Sequence, residues 1–491
     1  MTYLQWIFFA LYAVLVASTM VTVLLDNRQP AKAIAWILVL MFLPVIGIIL
    51  YIFFGQNMRK ERLISGKTVG EVTQFPVSDT PTVQNLAQQS VHEKLIRQFE
   101  TQNNALPYEG NSVEIYTDGY DHFLGMLKAI GRARHHIHLI TYIIEDDPLG
   151  RLVADALADC VARGVEVRLI YDDVGCWRVP NSFFERMRQR GIQVRAFMPV
   201  RFPALTSRIN YRNHRKLCVV DGEVAFIGGM NIAMRYVKSW RDTHLCVSGN
   251  VVGALQRCFL TDWYFSMEDQ ERKPEELVER LEVEIGRLES GLKTRKDDFS
   301  LVSRPELGHA LAQLVTSSPV AEFPVLMLGY VRILLQARDY VYMETPYFLP
   351  TEMILSAMRI AAQSGVDVRL MVPRETDTYV VEWASRSYLM EVVESGVTIY
   401  LYEGTFNHSK LLVSDDSICT CGSTNIDFRS FEHNFEANMF FYDAEVASRF
   451  KQVFFDDLQH CSRIEDELQM QRRPFLHRLW ESLLRLFSPL L

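Results

Sequence analysis

One pattern of polar residues occurs twice in this chain of 491 residues. The first copy reads His214-x-Lys216-x4-Asp221-x6-Gly228-Gly229-x-Asn231. The second reads His408-x-Lys410-x4-Asp415-x6-Gly422-Ser423-x-Asn425, with the same offsets. A repeat of this length indicates a duplicated unit. Two copies of one His/Lys/Asn set predict a single active site between two halves, and the chemistry that uses two histidines and two lysines is phosphodiester transfer.

The spacing within each copy places the histidine beside its lysine. In the first copy, His214 and Lys216 are followed by an apolar run typical of a buried strand, Leu217–Val220. Residues i and i+2 of a strand point to the same face, so each His/Lys pair should project together. Asp221 and Asp415 lie at odd offsets from the lysines. We therefore expect these aspartates to be structural members of the catalytic motif.

The residues one strand later could hold a phosphate. The small residues there let the backbone approach, and the side chains of Asn231, Asn425 and Ser423 could contact phosphate oxygens. The two lysines would stabilise the charge of the transition state. One neutral histidine would attack phosphorus and form a phosphohistidine, while the other donates a proton to the leaving alkoxide and later accepts one. This chemistry requires no metal and no other cofactor.

Aligning the two halves gives one further pair of carboxylates. Asp242 and Glu436 lie the same distance past their histidines. A carboxylate that accepts a hydrogen bond from a ring N–H fixes the tautomer of a catalytic histidine. We interpret Asp242 and Glu436 as histidine-orienting residues. The alternative is that each makes a surface salt bridge.

The complete pattern resembles the phospholipase D superfamily, whose characteristic motif is His-x-Lys-x4-Asp, over roughly residues 110–465. Further motifs, outside the repeated pattern, are similar to those of the bacterial cardiolipin synthases. These motifs are Thr345-Pro346-Tyr347-Phe348, Asp427–Phe431, Asn434–Glu436 and the N-terminal run that contains Ala33–Trp36, Pro44, Gly47, Tyr51 and Phe54-Gly55.

This resemblance implies that the substrate is phosphatidylglycerol. One molecule would donate its phosphatidyl group to a histidine and release glycerol, and a second would accept that group to give cardiolipin. We expect His214 to be the nucleophile and His408 the general acid/base, although the near-symmetry of the copies leaves this order open. The alternatives are hydrolysis to phosphatidic acid, as in a phospholipase D, and transfer that uses another donor lipid or alcohol.

Two other function classes fit the sequence less well. A nuclease would need a broad basic surface, whereas the net charge is -8 and the pI about 5.9, so we expect no nucleic-acid partner. A non-catalytic membrane scaffold is difficult to reconcile with two intact His/Lys/Asn sets. The sequence indicates no obligate protein partner.

The expected fold class is α/β, with two pseudo-symmetric phospholipase D-like halves. Each half should be a mixed sheet flanked by helices, and two transmembrane helices should precede them. We expect a membrane anchor at 1–58, a polar connector at 59–110, the first half at 111–267 with its motif at about 208–235, a charged helical linker at 268–300, the second half at 301–465 with its motif at about 402–429, and an amphipathic tail at 466–491.

The N-terminal region predicts membrane attachment. Neither Thr2–Leu25 nor Ala33–Met58 contains a charged residue, and each exceeds the roughly 20 residues that a spanning helix needs. More basic residues follow the second span (Arg59, Lys60, Arg62, Lys67) than lie between the spans (Arg28, Lys32). By the positive-inside rule, the catalytic domain should lie on the cytoplasmic side of a bacterial inner membrane.

Other features of the sequence predict individual parts of the structure. Apolar residues at helical spacing in Phe475–Leu491 indicate either an interfacial helix on anionic lipid or a helix packed on the domain. Glu268–Asp298 should form an amphipathic helix that links or braces the halves. Thr345 and Tyr347 follow a strand end and are candidate pocket residues. We expect the eight cysteines to be reduced, and we expect no metal at His135, His136 and His138.

Overall fold

The computed structural model describes residues 3–26, 30–51, 90–200, 210–266, 279–280, 283–288, 308–464, 475–486 and 488. At the N-terminus it contains three helices: α1 (Tyr3–Asp26), α2 (Pro30–Phe42) and α3 (Pro44–Leu50). Among the described residues, no helix combines the length and apolar character that crossing a membrane requires. Arg28 and the basic residues at 59–67 lie outside the described part of the chain.

Strands and helices alternate in the first half, as its sequence predicts. After α4 (Glu93–Asn103), its elements are β1 (Pro107–Tyr116), α5 (Gly119–Arg132), β2 (His136–Thr141), α6 (Pro148–Ala162), β3 (Glu166–Asp172), α7 (Asn181–Gln189), β4 (Gln193–Phe197), β5 (Arg212–Asn213), β6 (Leu217–Val220), β7 (Val224–Gly228), α8 (Arg235–Lys238), β8 (Trp240–Arg241), β9 (His244–Ser248) and α9 (Val252–Phe265).

The second half repeats this order. Its elements are β10 (Ala310–Ser317), α10 (Val325–Gln336), β11 (Tyr340–Glu344), β12 (Phe348–Leu349), α11 (Glu352–Gln363), β13 (Asp367–Pro373), α12 (Tyr379–Val393), β14 (Thr398–Tyr402), β15 (Phe406–Asn407), β16 (Leu411–Ser414), β17 (Ile418–Gly422), β18 (Ile426–Asp427), α13 (Phe428–Glu432), β19 (Asn434–Phe441), α14 (Ala444–Leu458) and β20 (Cys461–Arg463), followed by α15 (Phe475–Arg485).

Local sequence accounts for where several of these helices begin. The carboxylate of Asp118 caps α5, that of Asp147 caps α6 and that of Asp443 caps α14, each accepting from a backbone N–H of the first turn. Side-chain acceptors at this position satisfy N–H groups that have no partner within the helix. Several strands between the helices are deeply buried; every residue of β2, for example, is buried.

Within the described residues, one mixed sheet of sixteen strands runs through both halves. The first half contributes the order β1-β9-β7-β6-β2-β3-β4, and the second contributes β10-β19-β17-β16-β11-β13-β14. The halves join where β1 pairs antiparallel with β10. The matching order confirms the predicted α/β class, with a mixed sheet and flanking helices in each half.

The apolar core has a central part that both halves share. Leu255 and Phe259 of the first half belong to the same buried cluster as Phe441 and Phe450 of the second. A second cluster lies within the first half, and a third combines the second half with α4. The buried residues of α4 lie in the segment that the sequence predicts to be a polar connector. That segment therefore contributes to the core.

The charged linker is described only in part. Residues 279–280 and 283–288 are helical. Glu284 pairs with Arg168 at 2.7 Å, while Ile285 and Leu288 pack on the central core, so this piece braces the first half. The rest of the predicted linker helix, including Leu277, Leu281 and Leu292, lies outside the described residues.

Two short parallel pairings connect the halves beside the histidines. β5 pairs with the start of β19, and β8 pairs with β15. In each pairing, one strand comes from each half and one strand leads directly into a motif histidine. The two pairings are equivalent under the pseudo-symmetry, and they determine what surrounds the histidines.

Candidate active site

Each motif histidine is anchored to the opposite half through its backbone. The N–H of His214 donates to the carbonyl of Phe435 at 2.9 Å, and the N–H of His408 donates to that of Arg241 at 2.6 Å. Both side chains are largely buried. The structure therefore brings the two histidines to the junction between the halves.

The two aligned carboxylates contact the histidines in a crossed arrangement. The Nδ1 atom of His214 lies 3.0 and 3.1 Å from the two carboxylate oxygens of Glu436, which belongs to the second half. Likewise, Nδ1 of His408 lies 2.6 Å from Oδ2 of Asp242, which belongs to the first half. Both carboxylates are completely buried. With Nδ1 engaged, Nε2 is the ring atom left for a substrate in each case.

The lysines lie beside the histidines, as the i, i+2 spacing predicts. Lys216 Nζ donates to the carbonyl of His214 at 2.6 Å, and its ammonium lies 5.2 Å from the centre of the Tyr142 ring. Lys410 Nζ donates to the carbonyl of His408 and lies 2.8 Å from His408 Nδ1. A lysine has three donors, so each ammonium retains capacity to bind a phosphate oxygen.

Burial dominates the electrostatics of the basic groups. It lowers the pKa of Lys410 to about 8 and that of Lys216 well below its usual value. Burial, reinforced by the charges of Lys410 and Lys216, also holds the pKa of His408 well below its usual range. The pKa of His214 is lowered by burial too, but the adjacent Glu436 carboxylate opposes that shift.

The two orienting carboxylates differ in the pH range over which they take up a proton. Burial raises the pKa of Asp242 to about 6, against the opposing effect of Lys410. Burial alone would also raise the pKa of Glu436, but His214, Lys216 and Ser423 together hold it below its usual value. Glu436 is therefore ionised at neutral pH, whereas Asp242 titrates close to neutrality.

A glycine/serine difference between the copies contributes to this asymmetry. A Cβ atom at Gly229 would lie 2.1 Å from Oδ1 of Asp242, so the first copy leaves room for the carboxylate. The second copy has Ser423 at this position, and its hydroxyl donates to Glu436. The single hydrogen of Ser423 is thus engaged, and the phosphate contact predicted for it would require that bond to break.

The two motif asparagines also make contacts within the protein. Nδ2 of Asn231 donates to the Tyr236 hydroxyl at 2.6 Å, and its Oδ1 accepts from the N–H of Ile143 at 3.0 Å. Nδ2 of Asn425 donates to Asp427 at 3.0 Å. Each amide nitrogen carries a second N–H, so their role in phosphate binding stays a prediction.

Aromatic side chains surround the histidine rings. Tyr142 lies 4.9 Å from the ring of His214, while Tyr236, Trp240 and Tyr347 lie 5.7, 5.2 and 6.3 Å from that of His408. Of these, the sequence singled out only Tyr347, whose carbonyl accepts from Thr345 at 2.9 Å. Tyr142 could have been found as the residue that directly follows a parallel strand.

Buried ion pairs stabilise the residues around the site. Arg215 pairs with Asp262 at 2.6 Å and donates to the carbonyls of Glu436 and Ser317 in the other half, both at 3.1 Å. Arg241 pairs with Asp457 across the same junction. Removing one partner of a buried pair is strongly destabilising, so these pairs hold the halves in register. Nothing in the repeated motif identifies them.

The motif aspartates lie away from the histidine rings and hold the backbone. Asp221 accepts from the N–H groups of three consecutive residues, 134–136, at 2.8–2.9 Å. Asp415 does the same for residues 338–340 at 2.8–3.0 Å. Both aspartates have positive φ, 54° and 51°. Asp221 thus connects a hairpin turn to the start of β2, and Asp415 connects the equivalent turn to the start of β11. Both aspartates have a structural role.

Family models place the repeat and the N-terminus in known groups. The model described as "Cardiolipin synthase, PLD-like domain" matches residues 126–263 and 330–458. The model described as "Phospholipase D-nuclease N-terminal" matches residues 8–56.

Curated relatives match along almost the entire chain. A cardiolipin synthase of Alkalihalophilus pseudofirmus is 36% identical over 481 residues, which cover 96% of this chain and 91% of the relative. The major cardiolipin synthase ClsA of Bacillus subtilis is 35% identical, with 95% of each chain covered. A solved structure of phosphatidylserine synthase from Haemophilus influenzae Rd KW20 shares the fold at a TM-score of 0.58 and 14% identity, covering 81% of this chain and 98% of that chain.

We predict that Asp221→Asn and Asp415→Asn each lower the free energy of unfolding by about 1–3 kcal/mol. The reason is that each change removes the charge and one acceptor atom from a group that binds three consecutive backbone N–H groups, while asparagine tolerates the left-handed backbone. Chemical denaturation would measure the loss. Asp416→Asn is the matched control, because Asp416 has φ 48° but a largely exposed side chain. Unchanged stability with a large loss of turnover per folded molecule would instead assign these aspartates a catalytic role.

Proposed function

The chain belongs to the cardiolipin synthases of the phospholipase D superfamily, and on this premise we propose that it transfers the phosphatidyl group of one phosphatidylglycerol to another. The products are cardiolipin and glycerol. One phosphodiester replaces another, so the exchange needs no nucleotide to drive it.

One observation carries the proposed mechanism: each histidine is oriented by a buried carboxylate of the opposite half and has a lysine beside it. Such a pair of imidazoles can act on both sides of one phosphorus atom, one as nucleophile and one as proton donor. The lysines supply positive charge in a site from which burial excludes water, where electrostatic stabilisation is strongest.

In the first step, Nε2 of His214 attacks phosphorus and the bond from phosphorus to the glycerol oxygen breaks. The protonated His408 donates its proton to the leaving glycerol. As the N–P bond forms, positive charge develops on the His214 ring, and the ionised Glu436 at 3.0 Å stabilises it. Burial, together with Lys410 beside the ring and Lys216, holds the pKa of His408 well below its usual range. The negative charge of the bound phosphodiester, which the lysines would contact, would offset their effect and allow His408 to carry the proton that it donates. These contacts support His214 as nucleophile.

In the second step, a hydroxyl of the head group of another phosphatidylglycerol attacks the phosphohistidine. His408, now neutral, takes the proton of that hydroxyl, and the N–P bond to His214 breaks. Lys216, Lys410 and the second N–H groups of Asn231 and Asn425 would hold the phosphate oxygens in both steps. The enzyme then returns to its starting protonation state.

We also propose that the N-terminal helices hold the enzyme on the bacterial inner membrane, with the catalytic domain on the cytoplasmic side. The family match over residues 8–56 supports this arrangement, as do the exposed apolar side chains of the helices, such as Val14, Val21, Ile34 and Phe42. An anchor of this kind would keep the site near a substrate that resides in the bilayer.

The direct test supplies the purified enzyme with phosphatidylglycerol alone, without metal or nucleotide. We expect cardiolipin and free glycerol in equal amounts, measured by mass spectrometry, with both lost in His214→Ala and His408→Ala. Phosphatidic acid as the main product would make the enzyme a hydrolase. No turnover would indicate a different donor lipid and contradict the proposal.

Trapping the intermediate tests the order of the histidines. Phosphatidylglycerol labelled in its phosphatidyl moiety should leave acid-labile label on the wild-type protein after rapid quenching. His214→Ala should abolish the label, because the attacking nitrogen is absent. Peptide mapping should place the label of the wild-type enzyme on His214, and label on His408 would reverse the assignment.

The pH dependence of kcat/KM should follow the two groups whose pKa values burial shifts, Asp242 and Lys410. We expect kcat/KM to fall below about pH 6, as Asp242 becomes protonated and no longer orients His408, and above about pH 8, as Lys410 loses its charge. In Lys410→Arg the alkaline limb should change, since arginine stays charged and only Lys216, whose pKa burial also lowers, can still lose its charge. Asp242→Asn should remove the acid limb. Limbs unchanged in both variants would contradict the assignments.

A further inference from the structure

The C-terminal helix α15 is attached to the catalytic domain along one side. Arg485 pairs with Glu391 of α12 at 2.8 Å, and its guanidinium lies 4.2 Å from the centre of the Tyr388 ring. Glu481 and Leu484 are buried on the same side. These contacts fix the orientation of the helix relative to α12.

The opposite side of α15 is apolar and open. Leu479, Trp480, Leu483 and Leu486 are 44, 49, 42 and 73% exposed. At 100° per residue these four lie within an arc of about 120°, opposite Glu481 and Arg485, with Leu484 at its border. Three leucines and a tryptophan on a helix that already has a packed side indicate a contact surface rather than a structural role.

This surface is connected by side-chain contacts to the ring of His408. The Tyr347 hydroxyl donates to Asp377 at 2.6 Å, in the loop that follows β13, and the Tyr347 ring lies beside that of His408. Two residues later, Tyr379 is 64% exposed. From there, a chain of ring contacts through Trp383 reaches α15, with centroid distances of 5.7 and then 5.6 Å to the ring of His477.

Charge indicates which surface would be bound. From Gln471 to Leu491 the sequence contains four arginines and one acidic residue, although the chain as a whole carries a net charge of -8. The arginines are Arg472, Arg473, Arg478 and Arg485, and of these Arg485 is already paired with Glu391. A basic segment that carries an exposed tryptophan and leucines is typical of helices that lie in the interface of an anionic bilayer.

We propose that Tyr379, Leu479, Trp480, Leu483 and Leu486, here termed the tail face, dock on the surface of an anionic bilayer. The tail face is a second membrane contact beside the N-terminal helices, and it places the side of the domain that carries Asp377 and Tyr347, which contacts His408, against the lipid head groups. The link to catalysis rests on the proposed function, because this placement would increase turnover only for a substrate that resides in the bilayer.

The first test needs no activity. The full chain would be reconstituted in vesicles of phosphatidylcholine with phosphatidylglycerol, with and without lipids brominated on their acyl chains. The difference in fluorescence between wild type and Trp480→Phe isolates the signal of Trp480. We expect the brominated lipids to quench that signal at least twofold. An unquenched Trp480 would overturn the docking proposal whatever reaction the enzyme catalyses.

The second test connects docking to turnover. In Trp480→Gln/Leu483→Gln we expect kcat/KM on vesicles to fall about tenfold, since two apolar side chains no longer enter the interface. Turnover of monomeric dihexanoyl-phosphatidylglycerol should stay unchanged, because that substrate needs no bilayer. The matched control is Tyr120→Gln/Leu152→Gln, which alters two residues of the first half that are 62 and 52% exposed.

The outcomes separate the two proposals. Equal losses on both substrates would mean that the tail face only supports α12, and no loss on either would mean that docking does not serve turnover; either result overturns the link to catalysis. If sedimentation in detergent shows that the variant loses self-association, the occupant is a second copy of the chain, and the lipid proposal is wrong. Quenching of Trp480 without any cardiolipin from wild type would support docking and contradict the proposed function.

Discussion

The site depends on two parallel pairings, each only two residues long, that connect the halves. Because β5 pairs with the start of β19 and β8 with β15, each histidine follows two paired residues of one half while its carboxylate follows their two partners in the other. Neither His214 nor His408 could be oriented in this way within an isolated half. The β1–β10 pairing, the shared core and the Arg215 and Arg241 ion pairs all maintain the docking on which this crossing depends.

Burial then sets the chemistry of the crossed pairs. Water is excluded from the lysines and carboxylates, so their pKa values respond strongly to neighbouring groups. A single hydroxyl group therefore changes the pKa of the carboxylate that it contacts. Ser423 donates to Glu436, whereas Gly229 only leaves room for Asp242. The two halves are alike in backbone, yet the one carboxylate is ionised and the other titrates near neutrality. A symmetric scaffold thereby contains two histidines with different environments.

Much of this could be predicted from the sequence because the motif repeats with identical offsets. The repeat predicted two matching sheets, the adjacent His/Lys pairs and the carboxylates Asp242 and Glu436. It could not predict the crossing, since equal offsets describe pairing within a half and between halves equally well. Tyr142 and the Arg215–Asp262 pair were missed for a different reason: they lie far apart in sequence from the groups that they contact, and only the tertiary fold brings them together.

The near-symmetry of the site suits a reaction in which donor and acceptor are the same lipid. In both proposed steps a glycerol oxygen would approach or leave one phosphorus atom beside His408, while His214 would stay on the opposite side. The second step is therefore close to the reverse of the first, and one set of lysines and asparagines can serve both. What must differ is only the charge that each histidine tolerates. The duplicated fold meets that requirement because one residue next to each carboxylate differs between the copies. It needs no second binding site.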